Sequence, residues 1–281
     1  MSVRSLLALT LVLGVCLSGC FSPNAAREAD IAARRSRLQT AEAMFQERCK
    51  KAGVTIHRTV ENVEGVLLMK LRPRKDNYDD QFALDDPYGR DLGGDAYIQT
   101  FLRGSYQANT RGTPAPGSPP RLGYLYVEAV DPKDGKRYRY TGSVKAVGRK
   151  DVTAENVRRE LAANPAYDLN IYAYVLDKVL APGPAPRYGV TYDDISTREE
   201  REYWIAGSSL RVIDLKTQEV MAERIGYMMD RGQGSDAGGR LLWLLAADHS
   251  CPAFASRHGS TSQMFKALDF TESVLKPKLE K

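Results

Sequence analysis

The chain carries only three histidines and two tryptophans in 281 residues. The histidines are His57, His249 and His258, and no two stand at i, i+4. With no H-E-x-x-H pattern, zinc hydrolysis has no support. No G-x-S-x-G elbow occurs. Asp248, His249, Ser250 and Cys251 adjoin in sequence, but catalytic triads assemble in space, so this adjacency is no evidence for one. Gly232, Gly234 and Gly238 space as G-x-G-x-x-x-G. That is one residue longer than the dinucleotide fingerprint, and no βαβ unit surrounds it, so the segment reads as a strand-to-helix loop. No residue pattern implies a cofactor or a resident metal. The chain also lacks a block of one charge. Its 40 basic and 35 acidic side chains leave a formal +5. The densest basic run, Lys136-Arg137-Tyr138-Arg139-Tyr140, alternates as a strand does. It reads as a solvated sheet face and not as a nucleic-acid surface.

Long apolar runs are missing too. The longest, residues 6–17, is interrupted only by Thr10, and a membrane-spanning helix needs about 20 residues. Arg4 precedes the run and Ser18 and Gly19 follow it. A basic start, an apolar core and small residues describe a secretory signal peptide. The ending Leu17-Ser18-Gly19-Cys20 resembles the lipobox of bacterial lipoproteins at all four positions. The resemblance implies cleavage before Cys20, diacylation of its thiol and acylation of the new amino terminus, palmitate being the usual chain. Two or more acyl chains hold a protein stably on a bilayer, where one does not. In the lipoprotein pattern an Asp after the Cys favours the inner membrane. Phe21 and Ser22 stand here, so the resemblance places the body at the outer membrane, facing the periplasm, if the envelope has two membranes.

Of the four cysteines, Cys16 leaves with the signal and Cys20 is acylated on this reading. Cys49 and Cys251 remain for an oxidising compartment, where two leftover thiols suggest one disulfide closing a loop of roughly 200 residues. The alternative is two free, buried cysteines.

Three parts follow: a signal at 1–19, a lipidated tether at 20–26, and one domain at 27–281. Residues 24–51 are rich in Ala, Arg, Glu and Gln, and Ile31, Leu38, Ala41, Phe45 and Cys49 fall at helical spacing. β-type runs at 54–60 and 65–71, joined by Glu-Asn-Val-Glu, read as a hairpin. Residues 122–130 and 137–147 alternate around Asp-Pro-Lys-Asp-Gly-Lys, a strong turn signal. A short helix is expected at 154–162. Residues 169–180 fit a strand, with a helix as the alternative. Further strands are expected at 188–194, 203–215 and 219–229. The apolar run at 241–247 reads as a buried helix, and Met264, Phe265, Leu268, Phe270 and Leu275 suggest a closing one. The expected class is α+β, with a largely antiparallel sheet packed by N- and C-terminal helices.

Between residues 72 and 102 the chain is long, polar and aperiodic, and a loop of that kind is usually functional or disordered. Asp85, Asp86, Asp91 and Asp95 lie in it. Their spacing does not fit the EF-hand, so the expectation is a solvated loop or carboxylates capping a helix near Asp95, with the four as a candidate binding loop. The fifteen tyrosines concentrate in strands, where ring packing on a half-buried sheet is the ordinary reason and an exposed aromatic face the functional one. The reading is a membrane-anchored, non-enzymatic binding or assembly module. Its partners are the membrane and an envelope protein or glycan. The alternative is an envelope enzyme acting on glycan or peptidoglycan through carboxylates of the 76–95 loop.

Overall fold

The computed structural model describes residues 23–72, 81–82, 93–105, 123–240, 242–243, 246–253 and 262–279. The chain divides into a unit ending at Arg37 and a unit running from Leu38 to Lys281. Helix α1 is Pro23–Cys49. In the first unit its side chains are almost all exposed and Arg34 pairs with Asp30 one turn away at 2.9 Å. Ile31, placed by its spacing on the apolar stripe, is 48% exposed.

In the second unit the strands are β1 (Gly53–Ile56), β2 (Val60–Val63), β3 (Gly65–Leu68), β4 (Tyr126–Val130), β5 (Arg137–Arg149), β6 (Asn170–Leu180), β7 (Tyr188–Asp194), β8 (Ile205–Asp214), β9 (Glu219–Met229), β10 (Ser250–Cys251) and β11 (Leu275–Pro277). The helices are α2 (Asp95–Thr100), α3 (Glu155–Ala163), α4 (Arg198–Glu202) and α5 (Ser262–Val274). One nine-stranded sheet runs β1-β9-β8-β7-β3-β4-β5-β6, with β10 also on β9. All its pairings are antiparallel except those of β3, which is parallel to both β4 and β7. The result is the expected α+β class with a mostly antiparallel sheet.

The register sorts side chains onto two faces. Val66, Leu68, Val127, Ala129, Val190, Tyr192, Leu210, Val212 and Ala222 form one core with Tyr97, Ile98 and Phe101 of α2 and Ala267, Leu268, Phe270 and Val274 of α5. At one end of the opposite face, Ile205, Tyr227 and Met229 bury Ala41 and Phe45 of α1, with Leu38 and Cys49 partly buried beside them. The expected helical stripe is therefore buried from Leu38 onward.

Several expectations are met closely. The Asp131–Lys136 turn closes through Asp131 N–H to Lys136 O at 2.9 Å, and the Asp131 and Asp134 side chains accept the Lys133 and Lys136 N–H groups. Residues 170–180 form a strand and not a helix. Two expectations fail. Residues 54–71 are no hairpin: β1 joins the outer edge of β9, β3 inserts between β4 and β7, and Val60–Val63 is itself a strand, parallel to β11. Asn62, read as a turn residue, does adopt φ 60°, as Asn tolerates, but within a strand. The buried helix at 241–247 is also not formed among the described residues, which hold a turn at 242–243 and a short 3₁₀ turn at Ala246–Asp248.

Tyrosines lie over glycines on neighbouring strands. A Cβ on Gly65 would come 2.3 Å from the Tyr126 ring, one on Gly142 2.4 Å from Tyr174, and one on Gly207 2.4 Å from Tyr227. The missing side chain is the seat of the ring, a known device for stabilising strand glycines. This gives the ordinary packing reason for three of the strand tyrosines. Among the described residues no helix is long and apolar enough to cross a membrane.

Candidate functional site

The sequence singled out two groups of residues. Cys49, ending α1, and Cys251, on β10, are bonded, with Cα atoms 5.5 Å apart and a separation of 202 positions in sequence. The bond ties the α1–β1 corner to the strand lying beside β1 on the same edge of β9. Cys251 is thus no nucleophile. His249, two residues before it, packs on Phe45 with ring centroids 4.7 Å apart and planes tilted by 32°, and its Nε2 lies 3.3 Å from Glu42 Oε2, while the other Glu42 oxygen holds Arg231 at 3.0 Å. Cys20, Asp85, Asp86 and Asp91 lie outside the described residues. Asp95 is the first residue of α2, and the N-cap is Gly94, at φ 57° with no side-chain cap bond. The N-cap is thus a glycine and not one of the loop carboxylates; Asp95 lies in the first turn, where the helix dipole favours a carboxylate. No group of three or more His, Cys, Asp or Glu among the described residues is placed to hold a metal.

Sequence reasoning missed a polar knot at one end of the sheet. Both tryptophans are in it, and both adopt left-handed backbone: Trp204 at φ 56° and Trp243 at φ 63°, with Gln233 at φ 48°. Such conformations cost bulky residues roughly 1–3 kcal/mol each and persist only where the surroundings over-determine them. Here Asp230, fully buried, does so. It accepts Gly232 N–H and Trp243 N–H at 2.8 Å each and pairs with Arg240, while its own N–H donates to Trp204 O at 2.9 Å. The indoles pack with centroids 5.2 Å apart and planes tilted by 48°, and the Arg201 guanidinium lies over Trp243. Both Asp230 oxygens are engaged, so the knot holds backbone in place. Beside it α4 opens with a capping box: Glu200 N–H donates to Thr197 Oγ1 at 3.2 Å, the Glu200 carboxylate returns to Thr197 N–H and also meets Arg48. The Thr-x-x-Glu spacing was the signal available for this helix. Gln81, the polar end of the described part of the long loop, donates to Arg201 O at 2.8 Å.

Among the described residues, the ribbon made by β5 and β6 stands out for its exposed apolar side chains. It is registered from Tyr138↔Leu180 to Arg149↔Asn170, with a bulge between Ala146 and Gly148. At its base the ribbon is anchored. Tyr140 and Tyr174 are buried, Tyr174 Oη donates to Arg103 O at 2.9 Å, and burial pushes the Tyr174 phenol up to about 12. Lys178 lies over the Tyr138 ring and bonds Asp131; that bond raises the lysine and lowers the carboxyl. Among the described residues no layer covers the rest of the ribbon. Val144, opposite Tyr174, Val147, Ile171 and Tyr172 beyond it, and Val179 and Leu180 at the base, opposite Arg139 and Tyr138, are 45–63% exposed. Val152 and Val130, just beyond the ribbon, are exposed too. Fixed turns brace the far end: the Asp151 carboxylate accepts from Thr153, and Lys150 donates to Asp168 O at 2.8 Å. The arrangement is a two-stranded ribbon at the sheet edge that exposes apolar side chains on both faces beside the Lys145–Asp177 ion pair. No family model, curated protein or solved structure matches this chain.

Proposed function

We propose that the chain is a lipid-anchored envelope protein whose folded body is a non-enzymatic binding or assembly module. The β5–β6 ribbon is its docking surface and an envelope protein or glycan its partner. The observation that carries the binding reading is the row of exposed apolar side chains on a braced ribbon. Exposed apolar side chains gathered on one element are what a docking surface offers. The anchor rests on Leu17-Ser18-Gly19-Cys20 after the apolar run, and the Cys49–Cys251 bond supports an oxidising compartment. The body then faces the periplasm from the outer membrane.

Two measurements test the two halves. Cys20→Ala abolishes lipid labelling and releases the protein from membranes; unchanged retention ends the anchor reading. A photo-crosslinker at Tyr172 in native envelopes captures a partner polypeptide or glycan, and one at exposed Val54 on the opposite sheet edge does not. Absence of any adduct at Tyr172 ends the docking reading.

A further inference from the structure

We infer that the exposed first part of α1, residues 23–37, binds an anionic phospholipid surface through its arginines. The inference rests on the reading of Cys20 as the lipid anchor. Residues 23–37 carry Arg27, Arg34, Arg35 and Arg37 against Glu28 and Asp30, a net +2, and Ile31 is their only large apolar side chain. Residues 24–37 are all exposed. The segment is helical because Pro23 opens it and alanine and arginine, both strong helix formers, dominate it. It has no apolar face to bury, so packing does not account for its composition. Its charge is the feature left to explain.

Two observations make a bilayer the occupant. The first is arrangement. Arg27, Ile31, Arg34 and Arg35 stand at i, i+4, i+7 and i+8, within about 100° of helical arc, while Ala25, Ala29, Ala32 and Ser36 hold the opposite side. Arg34 bonds Asp30 at 2.9 Å and still keeps 68% of its side chain exposed. The second is position. Pro23 follows Cys20 by three residues, at most about 11 Å of extended chain, and the field of charged headgroups reaches about 8–10 Å at physiological salt. Residues 23–37 span about 22 Å of helix. Standing upright, the helix would carry Arg34 and Arg35 out of that field; lying along the surface, it presents them together with Arg27. Each basic side chain held there strengthens binding about fivefold. With a single large apolar side chain the contact is electrostatic, and it adds to the acyl chains without replacing them.

The test uses the mature chain with Cys20→Ala, so that no acyl chain contributes. It is co-sedimented at low salt with phosphatidylcholine vesicles, with and without an equal part of phosphatidylglycerol. The chain binds the mixed vesicles at least tenfold more tightly than the neutral ones, and salt at about 1 M, where the field shrinks to about 3 Å, removes the difference. Arg27→Gln with Arg35→Gln lowers binding to the mixed vesicles at least tenfold and leaves the melting temperature unchanged. Arg158→Gln with Arg159→Gln, exposed on α3, removes the same charge and lowers binding less than about threefold. Equal binding to both vesicles overturns the inference. So do equal losses from the two double variants, because the overall charge of the chain is then responsible. The anchor reading fails separately. If native protein carries no lipid while the dependence on Arg27 and Arg35 holds, the anchor is wrong and the helix contact stands. If native protein is lipidated and the vesicle preference is absent, the contact is wrong and the anchor stands.

Discussion

Removing the Cys49–Cys251 bond should weaken the fold more than any single surface substitution. The bond closes a loop across a separation of 202 residues. Chain entropy assigns a cross-link of that length roughly 5 kcal/mol, an upper bound because real unfolded chains are already compact. At about 2–4 °C per kcal/mol for a body of this size, Cys49→Ser with Cys251→Ser lowers the melting temperature by about 10–20 °C. The loss is local in the native state as well. Cys251 sits on β10, whose register on β9 is only Ser250↔Met228 and Cys251↔Tyr227, so hydrogen exchange rises first there and at residues 38–49 of α1. The assay is urea unfolding of the mature chain with and without reductant, beside the double serine variant. Reductant shifts the unaltered chain and leaves the variant where it is. A shift of less than about 1 kcal/mol refutes the reasoning, as do two alkylatable thiols in native protein.

Asp214 predicts an acid response. It is fully buried between Arg187 and Arg58 at 2.8 and 2.7 Å, and hydrogen bonds from Arg187 first and Arg58 second hold it well below the usual carboxylate range. A depressed folded value stabilises at pH above the unfolded value of about 3.9 and loses that effect as pH falls toward the folded one. The urea midpoints of the unaltered chain and Asp214→Asn are thus well separated at pH 7 and converge below pH 4; a gap unchanged from pH 7 to pH 2 contradicts the pairing. Gly207→Ala places a Cβ 2.4 Å from the Tyr227 ring and 3.1 Å from Ile195. That overpacking costs about 1–3 kcal/mol by thermal melting, and a neutral result shows that the ring yields freely.

Much of the sheet was legible because its rules are local. The turns at Asp131–Lys136 and after Asp214 announce β4–β5 and β8–β9 through residues that bond their own backbone. The β1–β3 region was misread because its partners are remote. Val60–Val63 pairs with the last strand of the chain and Gly53–Ile56 with β9, and no spacing near residue 60 encodes either choice. The run around Trp243 was read as helix from its apolarity, but Asp230 accepts the Trp243 N–H and fixes a left-handed backbone there. The ribbon was legible as strands and illegible as a surface. Alternation marks the pleat and does not report whether a layer lies over it, so Val144 and Tyr172 read the same as buried Tyr140 and Tyr174. Of the four loop aspartates only Asp95 falls among the described residues, where it opens α2.

The four residues of β3 have a consequence for the order in which the molecule can be completed. On one side of it stands the meander β4-β5-β6, on the other β7-β8-β9, each built from strands adjacent in the chain. Gly65–Leu68 is the one seam between them, parallel to both, and it is synthesised before either. It must wait, unpaired on one side, until residues 188–194 have emerged, and β2 waits longer still, for Leu275–Pro277 at the far terminus. A chain cut short before residue 275 can assemble both meanders, with β1 on β9 and β3 between them, and still leave Val60–Val63 without its partner strand.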